Sequence, residues 1–578
     1  MGAPLRITRL ERVDDIPLLL AQMARMEVAR LLNQHFPTHG NWQGLSLGEV
    51  AVVWLAYILS EGDHRLNGVQ GWAAGLLMTL TLCQGGRHLR ELDFSDDRLC
   101  RVLDHLGQDD EAWGAYEREQ SATLLRVYDL KPRRVRIDST TAKSYVAVTE
   151  DGLFQFGHSK EHRADLPQLK INQSALDPLG LPLSTTIVSG ECADDPLYVP
   201  EIRKVQALLG QQGLLYVGDC KMASFETRAF LAASHDYYLC PLSAVQMPAA
   251  ALQALLAPVW AGAQSLIPIH RASETANDTP RHMANGFSYS VTLKSQDGTE
   301  WPEQRLVVQS LKHADAQRRA LEQRLTKAEQ DVQALNRRGR GRKRLSEEEL
   351  RTAVEACCKR HGVADLLTVD YRVTTQTSLK RAYRGRPGRG VTTTTVTVLA
   401  QRNTLAYEET VRGLGWRVFV CNDPELGLGE AVLAYREEYL IERGFNRLRG
   451  KLLGMTPLYL SSCTRIKGLI RLLSIGLRVL CLTEFTVREA LREKAEKLSG
   501  LYAGNPKRAT AKPTTEMMLR TFVGIALIGA TIGGMDVHSV TPLNPVQSRI
   551  LDLLGFSPTL YQGLGARSED VAFQMSEP

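Results

Sequence analysis

The sequence contains no apolar stretch long enough to cross a membrane. Its apolar run at 522–535 falls short of the roughly 20 residues that a bilayer-spanning helix needs, and it carries four glycines. We therefore predict no membrane segment and interpret this run as a buried helix.

Cysteine is also sparse, with ten residues in a chain of 578. The first 20 residues lack the pattern of a secretory signal peptide, so we expect a cytoplasmic protein whose thiols stay reduced. Cys357 and Cys358 are adjacent and His361 is close by, but no second Cys/His pair follows at the spacing of a zinc site. The sequence alone therefore predicts neither a disulfide framework nor a zinc ion.

A strong excess of one charge is missing as well, since the formal net charge is only +6. The basic residues are instead concentrated in three clusters, which together favour a polyanionic partner, although solvated surface explains any single one. The clusters comprise Lys131, Arg133, Arg134 and Arg136; Arg337, Arg338, Arg340, Arg342, Lys343 and Arg344; and Lys380, Arg381, Arg384, Arg386 and Arg389.

The length predicts three or four domains, because one domain usually holds roughly 100 to 200 residues. Residues 1–130 show apolar positions at helical spacing, so we predict a helical N-terminal DNA-binding region, with a plain helical packing module as the alternative. Residues 131–243 and 425–500 are predicted to form the two halves of a core. Residues 244–424 are predicted as an insertion between these halves. A helical C-terminal region is predicted at 501–578.

After Pro132 the apolar pattern changes to the two-residue period of strands, and the first strand is predicted to end at Asp138. Further elements are predicted as strands at 170–176 and 183–189, a helix at 198–209, a strand at 214–217, a helix at 226–233 and a strand at 237–242. Three strands, helix, strand, helix, strand is the order of the ribonuclease-H-like fold. We therefore predict an α/β core with a mixed five-stranded sheet and flanking helices, interrupted by an α+β insertion.

Three carboxylates lie at positions that suit a metal centre. Asp138 and Asp219 each follow a predicted strand, and Glu442 lies at the border of the buried face of a helix predicted over 433–453. Each has an ordinary explanation when taken alone, as a turn former, a helix cap or a charge on an amphipathic helix. Together, carboxylates on separate elements are able to hold two divalent ions for in-line cleavage of a phosphodiester.

Four segments carry a resemblance to a known family. They are Arg136-Ile-Asp-Ser-Thr-Thr, Gly157-His-Ser-Lys-Glu-His-Arg with Leu166-Pro-Gln-Leu-Lys, Val217-Gly-Asp-Cys, and Tyr435-Arg-Glu-Glu-Tyr-Leu-Ile-Glu-Arg-Gly-Phe. In this order they resemble prokaryotic insertion-sequence transposases of the DDE type, over about Arg133 to Leu453. The branch concerned has the signature Tyr, two residues, Arg, three residues, Glu, six residues, Lys, with a large insertion before the Glu. Tyr435 and Glu442 match it, whereas Glu438 occupies the Arg position and Arg449 the Lys position.

The resemblance implies a transposase that binds terminal inverted repeats, cleaves the transposon ends and joins them to target DNA. It implies that Asp138, Asp219 and Glu442 are the catalytic, metal-binding residues and that they hold two Mg²⁺ ions, for which Mn²⁺ substitutes. It also implies double-stranded DNA as the partner, a homodimeric synaptic complex, and a cytoplasmic, nucleoid-associated location in a prokaryote.

The residues predicted to contact DNA are Tyr435, Arg449, His158, Lys160, Arg163 and Trp416. His158, Lys160 and Arg163 belong to a polar loop that either holds phosphates or is an ordinary hairpin loop. Trp416 either stacks on an unpaired base or belongs to the core. Two other functions stay open: a ribonuclease-H-like nuclease that cuts without joining, and a DNA-binding remnant that has lost catalysis, as the changes at the Arg and Lys positions allow.

Overall fold

The computed structural model describes residues 5–158, 163–272, 280–337, 345–381, 388–458, 460–532 and 535–565. The protein is a mixed α/β molecule, and the chain divides into two compact units. The first unit takes the residues up to Cys240, Ser295–Thr299, and those from Ala434 onward, whereas the second takes Pro241–Lys294 and Glu300–Leu433.

The N-terminal part of the first unit is a strand followed by helices. The elements are β1 (Leu5–Arg12), α1 (Ile16–Arg25), α2 (Val28–His35), α3 (Leu47–Glu61), α4 (Val69–Ala74), α5 (Leu77–Cys83), α6 (Asp96–Gln108) and α7 (Asp110–Val127). Helix α3 begins where the Ser46 side chain and Glu49 cap each other, and it ends at Gly62, which has a φ of 67°. The helices predicted at 49–59 and 98–106 are confirmed as parts of α3 and α6, while β1 was not predicted.

The central sheet of the first unit follows. Its elements are β2 (Arg134–Lys143), β3 (Gln168–Leu176), β4 (Leu181–Ser189), α8 (Tyr198–Leu209), β5 (Leu215–Val217), α9 (Phe225–Ala233) and β6 (Tyr237–Pro241). The strands lie in the order β4-β3-β2-β5-β6, with β2, β3 and β4 antiparallel and β2, β5 and β6 parallel. This succession of elements confirms the sequence prediction. The predicted end of the first strand at Asp138 is wrong, because β2 stays paired with β3 as far as Lys143.

The second unit contains a sheet, a long hairpin and helices. The elements are α10 (Ala249–Trp260), β7 (Ile267–Arg271), β8 (Arg281–Lys294), β9 (Glu300–Ser310), α11 (Leu311–Ala334), α12 (Glu347–His361), β10 (Leu367–Lys380), β11 (Arg389–Arg402), α13 (Thr404–Arg412) and β12 (Trp416–Cys421). Strands β12, β9, β8 and β7 are antiparallel neighbours in that order, and β10 pairs with β11. The charged helix predicted at 316–334 and the Thr-rich strand predicted at 391–398 are confirmed within α11 and β11.

The C-terminal part differs from the sequence prediction in two places. Its elements are α14 (Leu428–Arg436), α15 (Tyr439–Arg449), α16 (Cys463–Glu493), α17 (Thr515–Leu519), β13 (Ala526–Ile532), β14 (Met535–Val540), α18 (Pro545–Leu554) and α19 (Thr559–Gln562). The single helix predicted over 433–453 is two helices with a break at 437–438. The buried helix predicted over 522–535 is wrong, because β13 pairs with β1 and β14. The C-terminal region predicted as helical therefore contains two strands as well as α17, α18 and α19. The β-branched Ile and Thr residues of this run fit a strand better than a helix, but the apolar run alone did not show this.

Helix α16 organises the core of the first unit. It crosses α6 so closely that a Cβ on Gly468 would lie 2.1 Å from the Leu103 carbonyl oxygen, and a Cβ on Gly107 would lie 1.9 Å from the Thr464 carbonyl oxygen. Real Cβ atoms do not approach backbone this closely, so glycine is required on both helices. Helix α16 is long and mostly buried. Neither this helix nor any other in the described ranges is both long and apolar enough to span a membrane.

Candidate active site

Asp138 lies on β2 at the point where the neighbouring parallel strand ends. Strand β5 pairs with β2 only as far as Arg136 opposite Val217, so the sheet opens two residues before it reaches Asp138. The backbone N–H of Ser139 donates to Asp138 Oδ1 at 2.7 Å, which fixes the half-buried carboxylate at this opening. A side chain at such an edge is held by a rigid strand and still reaches a ligand.

Asp219 enters the same opening from the end of β5. Its Oδ1 accepts hydrogen bonds from the Tyr198 hydroxyl at 2.7 Å and from the Lys221 backbone N–H at 2.8 Å. Burial and the negative charges of Asp219 and Asp138 raise the pKa of Tyr198 well above its usual value, so this hydroxyl stays a donor. Because both donors reach Oδ1, the other oxygen of Asp219 is the one offered to a ligand.

Gly218 makes this arrangement possible. A Cβ at this position would lie 2.8 Å from the sulfur of Met222 and 3.1 Å from the Tyr198 ring. Any larger residue would therefore press on Met222 and on the tyrosine that orients Asp219.

A third carboxylate, Glu438, lines one small cavity together with Asp138 and Asp219. It lies in the break between α14 and α15, directly before the first residue of α15. Burial raises the pKa of Glu438, and the negative charges of Asp138 and Glu442 raise it further, while a hydrogen bond with Tyr435 acts in the opposite direction. Three carboxylates around one cavity thus repel one another, and the nearby charge of Arg136 offsets only part of this repulsion.

The arginines nearest the cavity are already paired with other groups. Arg136 donates to both oxygens of Asp177 at 2.8 Å and to the Ala434 carbonyl oxygen at 2.6 Å. Arg134 donates to Glu437 at 3.1 Å. These contacts bind the end of α14 to β2. Arg136 also lines the cavity, and its charge acts to lower the pKa of Glu438, but its hydrogen bonds go to Asp177 and Ala434.

Glu442, which the sequence predicted as the third carboxylate, lies on α15 one helical turn after Glu438. Its side chain is exposed, and it is close enough to Glu438 to raise the pKa of that group. The helix that carries it is held from behind by the buried carboxylate of Glu484, which accepts from Arg443 at 2.8 Å and from Arg447. The structure therefore brings Glu438, rather than Glu442, into the cavity with the two aspartates.

The donor set fits a hard divalent cation. Carboxylate oxygens are the ligands that Mg²⁺ prefers, and Mg²⁺ binds through a few of them while it keeps water or phosphate in its other positions. Asp138, Asp219 and Glu438 supply such oxygens from two strands and a helix break, with Glu442 beside them. The mutual repulsion of these groups gives a cation a further electrostatic advantage.

Of the predicted DNA contacts in the first unit, Tyr435 lines the cavity and Arg449 lies half-buried near the C-terminal end of α15. His158 is exposed, and its carbonyl oxygen accepts from the Gln168 side chain at 3.0 Å. Arg163 pairs with both oxygens of Asp165 at 2.8 Å, and this pairing lowers the pKa of Asp165 to about 2. A phosphate would therefore compete with Asp165 for Arg163. Lys160 lies outside the described residues.

Trp416 belongs to the second unit, on β12. Its ring is 8% exposed and packs in a core cluster with Leu256 and Phe287, and its Nε1 donates to the Arg412 carbonyl oxygen at 3.0 Å. Of the two interpretations of Trp416, the structure supports the core tryptophan. A base cannot stack on this ring while it keeps these contacts.

Two site residues were not predicted from the sequence. Glu438 was treated as a position on one continuous helix, and no proline or glycine marks the helix break at 437–438. Its one signal was the carboxylate at the Arg position of the signature. Tyr198 lies 21 residues before Asp219 and carries no signal in sequence spacing.

No family model and no curated protein sequence matches this chain. Among solved structures, a cryo-EM structure of a piggyBac transposase synaptic complex with hairpin DNA is similar over 98% of this chain and 87% of that chain, at 8% sequence identity and a TM-score of 0.34. A likeness of that size carries no argument about function. The functional conclusion therefore depends on the residues of the cavity.

Proposed function

We propose that this protein is a DNA transposase that cleaves transposon ends and joins them to target DNA by metal-dependent phosphodiester chemistry. The observation that carries the proposal is the convergence of Asp138, Asp219 and Glu438 on one cavity, with Glu442 one turn away. Strand β2 and the turn that follows β5 supply the aspartates, and a later helical region supplies the glutamates. The strand order of the first unit supports a ribonuclease-H-like catalytic core for this centre.

In this proposal Asp138, Asp219 and Glu442 hold two Mg²⁺ ions, as the sequence signature implies, and Glu438 adds a ligand inside the cavity. Mn²⁺ would substitute for Mg²⁺. When bound, the two ions would activate the attacking water or 3′ hydroxyl and stabilise the leaving oxygen. Tyr198 keeps Asp219 in one orientation, and Arg136 ties the end of α14 to the sheet so that the carboxylates stay together.

The substrate would be double-stranded DNA that carries terminal inverted repeats, and two copies of the chain would bring two ends together. Tyr435 in the cavity, and Arg449, His158, Lys160 and Arg163, are the proposed DNA contacts of the first unit. Phosphate contacts of this kind give affinity that falls steeply as salt concentration rises. The protein would act in the cytoplasm of a prokaryote, at the nucleoid.

The test is cleavage of labelled DNA that carries the terminal repeats flanking the gene, with Mg²⁺ or with EDTA. Wild type should nick at the repeat end only with Mg²⁺, and Asp138→Asn and Asp219→Asn should bind the DNA without cutting it. Asp151→Asn, which removes an exposed carboxylate from a turn, is the matched control and should cut like wild type. Cleavage that survives in both cavity variants would disprove the proposal.

The same assay assigns the glutamates. Loss of cleavage in Glu442→Gln supports the residue that the signature predicts, and loss in Glu438→Gln supports the residue that lies in the cavity. Product analysis separates the other functions, because only a transposase makes joined donor and target strands. Cut but unjoined DNA would favour a nuclease, and bound DNA that is never cut would favour a remnant that has lost catalysis.

A further inference from the structure

A group of metal-ligating side chains lies in the second unit, apart from the proposed catalytic centre. Asp331 on α11 and Cys357 and His361 on α12 each direct one ligand atom toward a common point, and these atoms all lie within 4.8 Å of one another. Cys357 is buried, His361 is half-buried and Asp331 is exposed. The group is therefore anchored in protein on one side and open to solvent on the other.

The two helices hold these residues in place by ordinary packing. Cys357 and His361 are four residues apart, so their side chains project from the same face of α12. Cys357 shares a core cluster with Leu325 and Ala328 of α11, which lie within two turns of Asp331. The ligand atoms thus come from rigid elements and need only small side-chain movements to surround an ion.

We propose that Asp331, Cys357 and His361 bind one zinc ion and leave a fourth position for water. A thiolate and an imidazole with one carboxylate are a ligand set that zinc accepts, whereas Mg²⁺ prefers oxygen alone. Binding would release the thiol proton of Cys357 to solvent, and the Cys357 sulfur would exchange its weak contact with the Ala328 carbonyl oxygen, now 3.8 Å long, for the metal.

The same residues have a second explanation, in which no metal takes part. His361 Nε2 lies 2.9 Å from Asp331 Oδ2, and Arg360 lies 3.8 Å from the same oxygen, so a polar contact alone already joins α11 and α12. In that case the thiol of Cys357 has no function beyond filling the core. The two explanations therefore differ in what they predict for the sulfur.

Titration of the reduced, full-length protein with Co²⁺ tests this difference. Thiolate bound to Co²⁺ gives a charge-transfer band in the near ultraviolet, and four-coordinate Co²⁺ gives strong visible bands. The carboxylates of the first unit contain no sulfur, so Co²⁺ bound there cannot give the near-ultraviolet band. We expect both bands to saturate at one equivalent in the wild type and to be displaced by Zn²⁺. Cys357→Ser should lose the near-ultraviolet band.

Cys358→Ser is the matched control, because Cys358 is the adjacent buried cysteine of the same core cluster and lies outside the ligand group. It should keep both bands. His361→Gln is a second test that leaves the core thiol intact, and it should lose the endpoint at one equivalent. Absence of the thiolate band in the wild type, or its retention in Cys357→Ser, would overturn the proposal.

Discussion

The ion-pair cluster behind α15 allows a stability prediction of defined size. Glu484 is buried, with 2% of its side chain exposed, and it contacts Arg443 and Arg488 at 2.8 Å each, together with Arg447. Removing one partner from a buried ion pair costs about 3 to 5 kcal/mol. Arg443 and Arg488 are about a quarter exposed and can regain water, and Arg447 keeps Glu516 at 2.8 Å. We therefore expect Glu484→Gln to lower the free energy of unfolding by about 3 kcal/mol, the lower end of that range.

Urea unfolding followed by far-ultraviolet circular dichroism measures this loss in the transition that contains α16. The matched control is Glu489→Gln on the same helix, because Glu489 is 34% exposed and its partner Arg492 is 71% exposed. An exposed pair of this kind is worth about 0 to 1 kcal/mol, so the control should unfold close to the wild type. If the loss in Glu484→Gln is no larger than in Glu489→Gln, the reasoning from burial is refuted.

Three further predictions concern burial, packing and the candidate site. Burial raises the pKa of Asp15 to about 6 in the folded protein. The contribution of the protonated Asp15 carboxyl to the free energy of unfolding is therefore complete below pH 4 and is lost as pH rises through 6. Asp15→Asn should therefore be more stable than wild type at pH 8 by up to about 3 kcal/mol and equal to it at pH 4, as measured by urea unfolding. Gly468→Ala should lower the free energy of unfolding by about 1 to 3 kcal/mol, because a Cβ does not fit at the close helix crossing. Gly114→Ala on α7, where a Cβ meets open space, should raise it by roughly 0.5 to 1 kcal/mol. Thermal unfolding that ranks the two variants the other way would contradict this prediction. Tyr198→Phe removes the hydroxyl that orients Asp219, so about tenfold more Mn²⁺ should be needed for half-maximal cleavage, and an unchanged Mn²⁺ titration would contradict that role.

Where the apolar period was clear, the sequence was sufficient to predict the elements. Strands β3 and β4 and helix α8 were predicted within two residues of their ends, because alternation and turn residues mark them. The run at 522–535 was wrongly predicted as a helix, since an apolar run by itself does not distinguish a buried strand from a buried helix. Its strand conformation depends on β1 and β14, which lie on either side of it.

The candidate site was predictable only in part for a similar reason. Asp138 and Asp219 were found because strands position them, and strands are visible in a local pattern. Glu438 instead lies in a part of the chain that contacts β2 over a long sequence distance, as in the bond from Arg136 to the Ala434 carbonyl oxygen, and a local pattern does not show such contacts. The helical pattern placed Glu438 and Glu442 in one narrow arc, and the family signature, which has Arg at the position of Glu438, selected Glu442.

The cavity carboxylates are distributed along the chain in a way that bears on synthesis. Asp138 and Asp219 leave the ribosome early, whereas Glu438 follows Asp138 by 300 residues, after most of the second unit has been made. Closing so long a loop is slow, because distant contacts must overcome the entropy of the intervening chain. A nascent chain that ends before α14 holds the two aspartates without either glutamate. If the proposed function is correct, a nascent chain would cut DNA only after Glu438 and the residues around it have been synthesised, and chains that end before α14 would be harmless to the template that encodes them.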